Sequence, residues 1–436
     1  IFKGSDVVEW VIEFGMAIKA MHVSFVVPMD VEAVPVSANL LLFTLIVLTI
    51  VRFLHLYSRP ECPQANLCQT EKNKMKRIID GMPIMKEEYV PPWLWGRSGH
   101  IQTGIYGVLG HSSLKRTADS RRTVKLSDGT TVVYDVFEPI AKHESGKEVT
   151  LCLTPGIANT SESNYIRTCV HYAQEAGFRC VVLNHVGALV GVTLTSPRIF
   201  SYGGTQELHA VVKDVIIQYP QTKIISLGFS MGANITTKFL VEVEESIRER
   251  IIFGISVGQG YCATSSAPLY HDWENSRRAY NYVITENMKR LLRRNYEMAV
   301  RPLAEQGIID EEKLWTATSI ISLDEAYTRR VNGFKTLHDF YAWCSCLPLL
   351  DDLKVPIVFL NSRDDPIFPH SLWNPVKKLS SLREDMCMIT TKHGGHLGFL
   401  EGPSLAPHSV TWLDRYATSL PYSVNLDSFQ IHSADM

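Results

Sequence analysis

A chain of 436 residues with 45% hydrophobic side chains can bury the core of one large domain plus additions. A formal charge of -2 and the lack of a long basic run argue against nucleic acid as a partner. Nine cysteines, an odd number spread without metal-ligand spacing, give neither a disulfide framework nor a zinc site, so no metal or cofactor is expected.

Residues 1–32 carry two lysines and five acidic residues in a loosely apolar pattern that defines no element, and form an extension. Ala33 to Val51 is nineteen residues without a charge, dense in Leu, Ile, Val and Phe from Leu40 onward, which is long enough to cross a bilayer core. Arg52-Phe-Leu-His-Leu-Tyr57 follows with no small-residue cleavage site, so 33–54 is expected to be a transmembrane anchor rather than a signal peptide. Arg52 and Arg59 after the span, against the acidic residues before it, favour a cytoplasmic position for the remainder. Polar composition with Pro60 and Pro63 marks 55–89 as a linker. The aromatic, proline-bounded stretch Val90-Pro-Pro-Trp93-Leu-Trp95, continuing to Thr103, reads as a strap packed across the domain.

From here the periodicity alternates. Thr123 to Glu138 reads as a hairpin around Asp128-Gly129. Short apolar strands are expected at Val149–Leu153, Arg179–Leu183, Lys223–Leu227, Ile251–Val257, Pro356–Leu360 and Met386–Thr390. Helices are expected near Glu162–Ala176, Glu207–Tyr219, Gly232–Arg250 and Ala406–Thr418. This alternation predicts an α/β fold with a mostly parallel sheet covered on both faces, whose ligands bind at the carboxyl ends of the strands. The sheet is split between 90–261 and 351–420, with a tail over 421–436. The interval 262–350 breaks the pattern, is rich in Trp and Tyr interleaved with Arg and Lys, and reads as a helical cap over the sheet edge.

One strand carries chemistry. Lys223 to Leu227 runs into Gly228-Phe-Ser230-Met-Gly232, and an amphipathic helix follows with Ile235, Phe239, Leu240, Val243 and Ile247 on one face. Side chains at Gly228 or Gly232 would collide with the backbone of so sharp a turn, and Ser230 stands at its tip as a candidate nucleophile. A second match, Gly254-Ile-Ser256-Val-Gly258, lies inside an apolar strand with no helix after it and reads as a packed serine. A serine hydroxyl needs a base held by a carboxylate, in the order Ser, acid, His on this fold. Strand Pro356–Leu360 leads to Asp364-Asp365-Pro366, where Asp365 is preferred as the acid and Asp364 is the alternative. The last strand leads to Lys392-His393-Gly-Gly-His396, where His396 is the expected base and His393 the alternative. The oxyanion donors would be the Met231 N–H and, from the loop Thr154-Pro-Gly-Ile-Ala-Asn159, the Ile157 N–H. Two sequons near this site, at Asn159 and Asn234, read as turn and helix residues.

Pro155-Gly-Ile-Ala-Asn159, Leu183-Asn-His-Val-Gly-Ala-Leu189, Thr195-Ser-Pro-Arg198, Gly228-Phe-Ser-Met-Gly-Ala-Asn234, Asp364-Asp-Pro366 and His393-Gly-Gly-His-Leu-Gly-Phe399 together resemble the α/β-hydrolase domain-containing protein 2 group of acylglycerol lipases. The resemblance runs from the anchor through Trp95-Gly-Arg-Ser-Gly-His-Ile-Gln-Thr103 to about Trp412, and carries the family's catalytic roles onto Ser230, Asp365 and His396. It implies an α/β-hydrolase fold, hydrolysis of monoacylglycerols and other lipid esters, and a single membrane anchor in the plasma membrane or endoplasmic reticulum. It further implies a steroid-responsive activity and a catalytic domain outside the cytoplasm, against the charge count. Two other readings use the same residues: acyl transfer to an alcohol, and a catalytically silent lipid or steroid receptor.

Overall fold

The computed structural model describes residues 36–70, 73–109 and 117–422. The extension expected over 1–32 lies outside them, as does the tail beyond Tyr422. The first element is the helix α1, Val36–Phe53, with 18 residues. Leu40, Leu41, Phe43 and Leu45 on it are each more than half exposed. No helix among the described residues is long and apolar enough to cross a membrane, and residues 33–35 of the expected anchor fall outside them.

The stretch read as a linker does more than connect. Strand β1, Gln64–Asn66, pairs antiparallel with residues 388–390 at one edge of the sheet. Helix α2, Lys74–Gly81, buries Met75, Ile78 and Ile79 together with Leu67, Met82 and Tyr89. Pro60 and Pro63 mask this because a three-residue strand directly after two prolines has no periodicity to read. The strap after it holds α3, Gly99–Leu109.

The remaining strands are β2 (Ser120–Lys125), β3 (Thr131–Phe137), β4 (Val149–Thr154), β5 (Arg179–Asn184), β6 (Lys223–Phe229), β7 (Ile251–Val257), β8 (Ile357–Ser362) and β9 (Met386–Thr391). They form one sheet in the order β1-β9-β8-β7-β6-β4-β5-β3-β2. The run from β5 to β9 is parallel, and β1, β2 and β3 add antiparallel edges. The six residues of β4 and the seven of β7 are all buried, as expected of strands covered on both faces, whereas β2 alternates half-buried and exposed side chains at the edge. On one face lie α4 (Asn164–Glu175) and the C-terminal helix. On the other lie α5 (Gln206–Gln218) and α6 (Met231–Glu242).

Two helices differ from expectation. The helix after Ser230 was expected to reach Arg250, but Val243 turns extended (ψ 134°) and a separate turn begins at Glu245. The Val-Glu-Val run is β-branched at both apolar positions, which weakens the helix there, and the break still buries both Val243 and Ile247 in the same core. The C-terminal helix starts at Trp412 rather than Ala406. Thr411 and Asp414 cap it reciprocally, the Asp414 N–H donating to Thr411 Oγ1 at 3.1 Å and the Thr411 N–H to Asp414 Oδ2 at 3.0 Å.

Between β7 and β8 the cap includes α7 (Arg277–Arg294) and α8 (Leu337–Cys344). Its Met288, Leu291 and Leu292 join the core formed by α5 and α6, so cap and sheet share one apolar interior. Helices α9 (His370–Ser380) and α10 (Trp412–Tyr422) complete the chain. A buried carboxyl fastens cap to core. Asp324, in a single π-turn, accepts from the Tyr202 hydroxyl of the core and the Tyr341 hydroxyl of the cap, both at 2.8 Å. Burial pushes its carboxyl up to about 7. Because the folded state holds this proton that the unfolded chain releases near pH ~4, Asp324 is expected to lower stability progressively as pH rises towards about 7, and to add no further slope above it. Thermal melts at pH 5 to 8 check this: the wild type should lose more of its Tm across that interval than Asp324→Asn, and parallel curves would remove the assignment.

Candidate active site

Strand β6 ends at Phe229 and the next residue reverses the chain. Ser230 takes φ 53° and ψ -118°, a strained conformation for a residue with a Cβ, and its N–H donates to the Val257 carbonyl at 2.8 Å. The turn is possible only with glycine on either side. A Cβ on Gly228 would lie 2.3 Å from the Gly232 oxygen, and one on Gly232 would lie 2.1 Å from the Thr154 oxygen. The second motif serine, Ser256, is wholly buried in β7 and accepts from Gln259 Nε2. It has no route to a substrate.

The loops after β8 and β9 bring the acid and the base together. His396 Nε2 stands 2.9 Å from Ser230 Oγ, and His396 Nδ1 stands 2.9 Å from Asp365 Oδ2. Asp365 Oδ1 accepts from the Ile367 and Phe368 N–H groups at 2.7 and 3.0 Å. With one oxygen so engaged, the other takes the Nδ1 proton and leaves Nε2 as an acceptor facing the serine. Asp365 and His396 are buried, while Ser230 is part-exposed and reachable. The two alternatives sit together elsewhere: His393 Nδ1 is 3.5 Å from Asp364 Oδ2, and Asp364 Oδ1 accepts from the Gly395 N–H at 2.8 Å.

The strap braces the same loop. Thr103 Oγ1 accepts from the His396 N–H at 2.8 Å, and Gln102 Oε1 accepts from the Leu400 N–H at 2.8 Å. Helix α3 can approach this closely because its first residue is glycine: a Cβ on Gly99 would fall 1.9 Å from the Asp364 oxygen. So the segment expected to be a packing strap positions the imidazole.

Met231 follows the serine directly in the chain, and a Cβ on Gly156, the residue before Ile157, would lie 3.5 Å from the Ser230 Cβ; among the described residues neither the Ile157 nor the Met231 N–H donates a hydrogen bond. Met231 opens helix α6, where the first N–H groups lack intrahelical acceptors. Two residues to which the sequence assigned no role hold the Ile157 loop. The Gly156 N–H donates to the Tyr165 hydroxyl at 2.8 Å, and His185 Nε2 donates to the Pro155 carbonyl at 2.8 Å. Burial pushes His185 down to about 4, which keeps the ring neutral, and the Pro155 carbonyl holds its proton on Nε2. Its sequence signals are its place at the carboxyl end of β5 and within the Leu183-Asn-His-Val-Gly-Ala-Leu189 motif. Asn159 and Asn234, the sequon asparagines, spend their amide groups internally, on the Ile157 carbonyl and on the Tyr202 and Cys344 carbonyls. No group of three or more His, Cys, Asp or Glu side chains among the described residues is arranged to hold a metal ion.

A part-exposed hydroxyl, an imidazole 2.9 Å from it, a carboxylate behind the imidazole and two N–H groups without acceptors are together equipped for nucleophilic acyl chemistry. The comparisons agree with that chemistry. Residues 149–403 match the family model described as alpha/beta hydrolase fold. The chain is 39% identical over 380 residues to abhydrolase domain-containing protein 2 of Drosophila melanogaster, covering 87% of this chain and 94% of that protein. It is 40% identical over 385 residues to a protein of Danio rerio named monoacylglycerol lipase ABHD2, covering 85% of this chain and 86% of that one. Among solved structures, the Pyrococcus furiosus esterase Pf2001 aligns with TM-score 0.40 and 13% identity over 64% of this chain and 84% of its own. The chain belongs to the α/β-hydrolase family, in the group of abhydrolase domain-containing protein 2, and with it to the serine ester hydrolases.

Proposed function

We propose that this protein is a membrane-anchored acylglycerol lipase that cleaves monoacylglycerols through an acyl-enzyme on Ser230. The observation that carries the mechanism is the aligned pair of contacts at His396, 2.9 Å to the serine and 2.9 Å to Asp365. Ser230 Oγ attacks the ester carbonyl carbon while its proton passes to His396 Nε2. The carbonyl electrons move to oxygen, where the Met231 and Ile157 N–H groups meet the developing charge. Collapse breaks the bond to the glycerol oxygen, which takes the proton from His396, and the acyl group stays on Ser230. Water then gives a proton to the same imidazole and attacks the acyl carbon, and the second collapse breaks the bond to Ser230 Oγ, which takes the proton back from His396 as the fatty acid leaves. Asp365 holds the ring in place and stabilises the imidazolium.

The substrate class rests on the name borne by the relatives. The membrane reading, a single-pass protein of the plasma membrane or endoplasmic reticulum, is supported by the exposed apolar side chains of α1 and by its proximity to the site. Phe53 at its end stacks on His100 with centroids 6.4 Å apart, and His100 lies in α3, which also carries Thr103. An active site beside a bilayer suits a substrate that partitions into lipid.

Two measurements test this. The full chain in lipid vesicles containing monoacylglycerol should release fatty acid, and a fluorophosphonate probe should label it at Ser230. Labelling without fatty-acid release would remove the substrate class, and ligand binding without labelling would turn the protein into a silent receptor.

A further inference from the structure

The segment that follows α1 makes a set of polar contacts that the hydrolytic scheme leaves unused. The Leu56 carbonyl accepts from Arg97 Nη1 at 2.7 Å, on the strap. Ser58 Oγ is 2.9 Å from His393 Nε2, and the Arg59 carbonyl accepts from Lys392 Nζ at 3.1 Å. Glu61 then places one carboxylate oxygen 2.6 Å from Lys392 Nζ and the other 2.6 Å from Arg363 Nη2. Its backbone is fixed as well, its carbonyl accepting from the Tyr89 N–H at 3.1 Å, while the Tyr89 hydroxyl donates to the Leu400 carbonyl at 2.7 Å.

The position of the two cations gives these contacts a meaning. Arg363 is the first residue after β8 and Lys392 the first after β9, and the strands are neighbours in the sheet. The loop that starts at Arg363 carries Asp365, and the loop that starts at Lys392 carries His396. Two positive side chains at adjacent strand ends repel and push their loops apart. One carboxylate between them reverses the sign of that force. The cations in turn hold the Glu61 carboxyl below the usual carboxylate range, Lys392 foremost and then Arg363, so the bridge is charged at neutral pH.

We infer that residues 56–61 form a brace across the two catalytic loops, in which Glu61 is a positioning residue that sets the distance between Asp365 and His396. The inference rests on the hydrolytic roles proposed above. It makes the segment joining α1 to the domain part of the catalytic apparatus. A passive tether would not need an ion pair to each loop. The Glu61 side chain is 39% exposed, so salt screens the bridge.

The test is steady-state kinetics of the full chain in detergent micelles on p-nitrophenyl butyrate, an ester short enough to need no membrane. Glu61→Gln is expected to lower kcat by ~10- to 100-fold, the scale of effect for displacing a catalytic group by about 1 Å, with KM unchanged. Glu61→Asp, one methylene shorter, should reach one cation at a time and give an intermediate kcat. Salt should lower the wild-type kcat and leave that of Glu61→Gln unmoved. In an Arg363→Met/Lys392→Met background, adding Glu61→Gln should have no further effect on kcat. Tm measured on every variant separates lost alignment from lost folding. A Glu61→Gln variant with wild-type kcat, or an equal loss in the cation-free background, overturns the brace. A fluorophosphonate adduct on Ser58 would overturn it too, because Ser58, His393 and Asp364 would then be a second nucleophilic array. A wild type that neither hydrolyses the ester nor labels at Ser230 would remove the hydrolytic reading and the brace together, which an active wild type with an indifferent Glu61→Gln would not.

Discussion

Ser230→Ala is expected to lower kcat for ester hydrolysis by about 10⁶-fold, the scale seen when the nucleophile of a serine triad is deleted. His396→Ala should cost about as much, and the double variant no more than either alone, because neither residue works without the other. Stability should move in the opposite direction at this position. Ser230 is held at φ 53° by the turn between β6 and α6, and a non-glycine residue in such a conformation stores roughly 1 to 3 kcal/mol. Ser230→Gly should therefore be inactive and yet melt several degrees higher than the wild type, while Ser230→Ala keeps the strain and the wild-type Tm. Single-turnover rates on Ser230→Ala, His396→Ala and the double variant check the first half, and thermal melts on the wild type, Ser230→Gly and Ser230→Ala check the second. Appreciable turnover in Ser230→Ala would mean that another nucleophile does the chemistry.

The legibility of these features in the sequence follows how local their causes are. Strands β4 to β9 were readable because each is a short apolar run bounded by turn residues, and Ile251–Val257 was delimited to the residue. The turn at Ser230 was readable because its two glycines are demanded by contacts within five residues or with the adjoining strand. The choice of Ser230 over Ser256 rested on the helix that follows, and the burial of Ser256 agrees with it. Asp365 and Asp364 were separable only in part, since Pro366 constrains the backbone and says nothing of which carboxylate meets the imidazole. What no pattern carried were the contacts made across the chain: Thr103 on the His396 N–H is 293 positions away, and Ser58 on His393 is 335. Segments 55–89 and 90–103 looked like connection and packing because their polar side chains are spent on loops far along the sequence. The early end of α6 was missed for a related reason, since Val243 and Ile247 keep a helical spacing although the helix breaks at Val243 and Glu244 before a separate turn begins.

The two adjacent aspartates allow the second large effect to be stated as a contrast. Asp365→Asn is expected to lower kcat about 10⁴-fold, as loss of the orienting carboxylate does in a serine triad, whereas Asp364→Asn should cost no more than about tenfold by loosening one loop contact. The difference follows from donors already in place. The Ile367 and Phe368 N–H groups at 2.7 and 3.0 Å require an acceptor at the Oδ1 position, so an asparagine there must turn its carbonyl oxygen towards them. Its amide NH₂ then faces His396 Nδ1. A donor at that position forces Nδ1 to accept, which moves the ring proton to Nε2, opposite Ser230 Oγ. The imidazole then has no lone pair to take the serine proton, although its position is unchanged. At residue 364 the same substitution retains an oxygen for the Gly395 N–H and leaves the ring tautomer alone. Kinetics on the two variants, with ¹⁵N shifts of the His396 ring, read this directly. Equal losses at the two positions, or a tautomer unchanged in Asp365→Asn, would show that Asp365 does not orient the base.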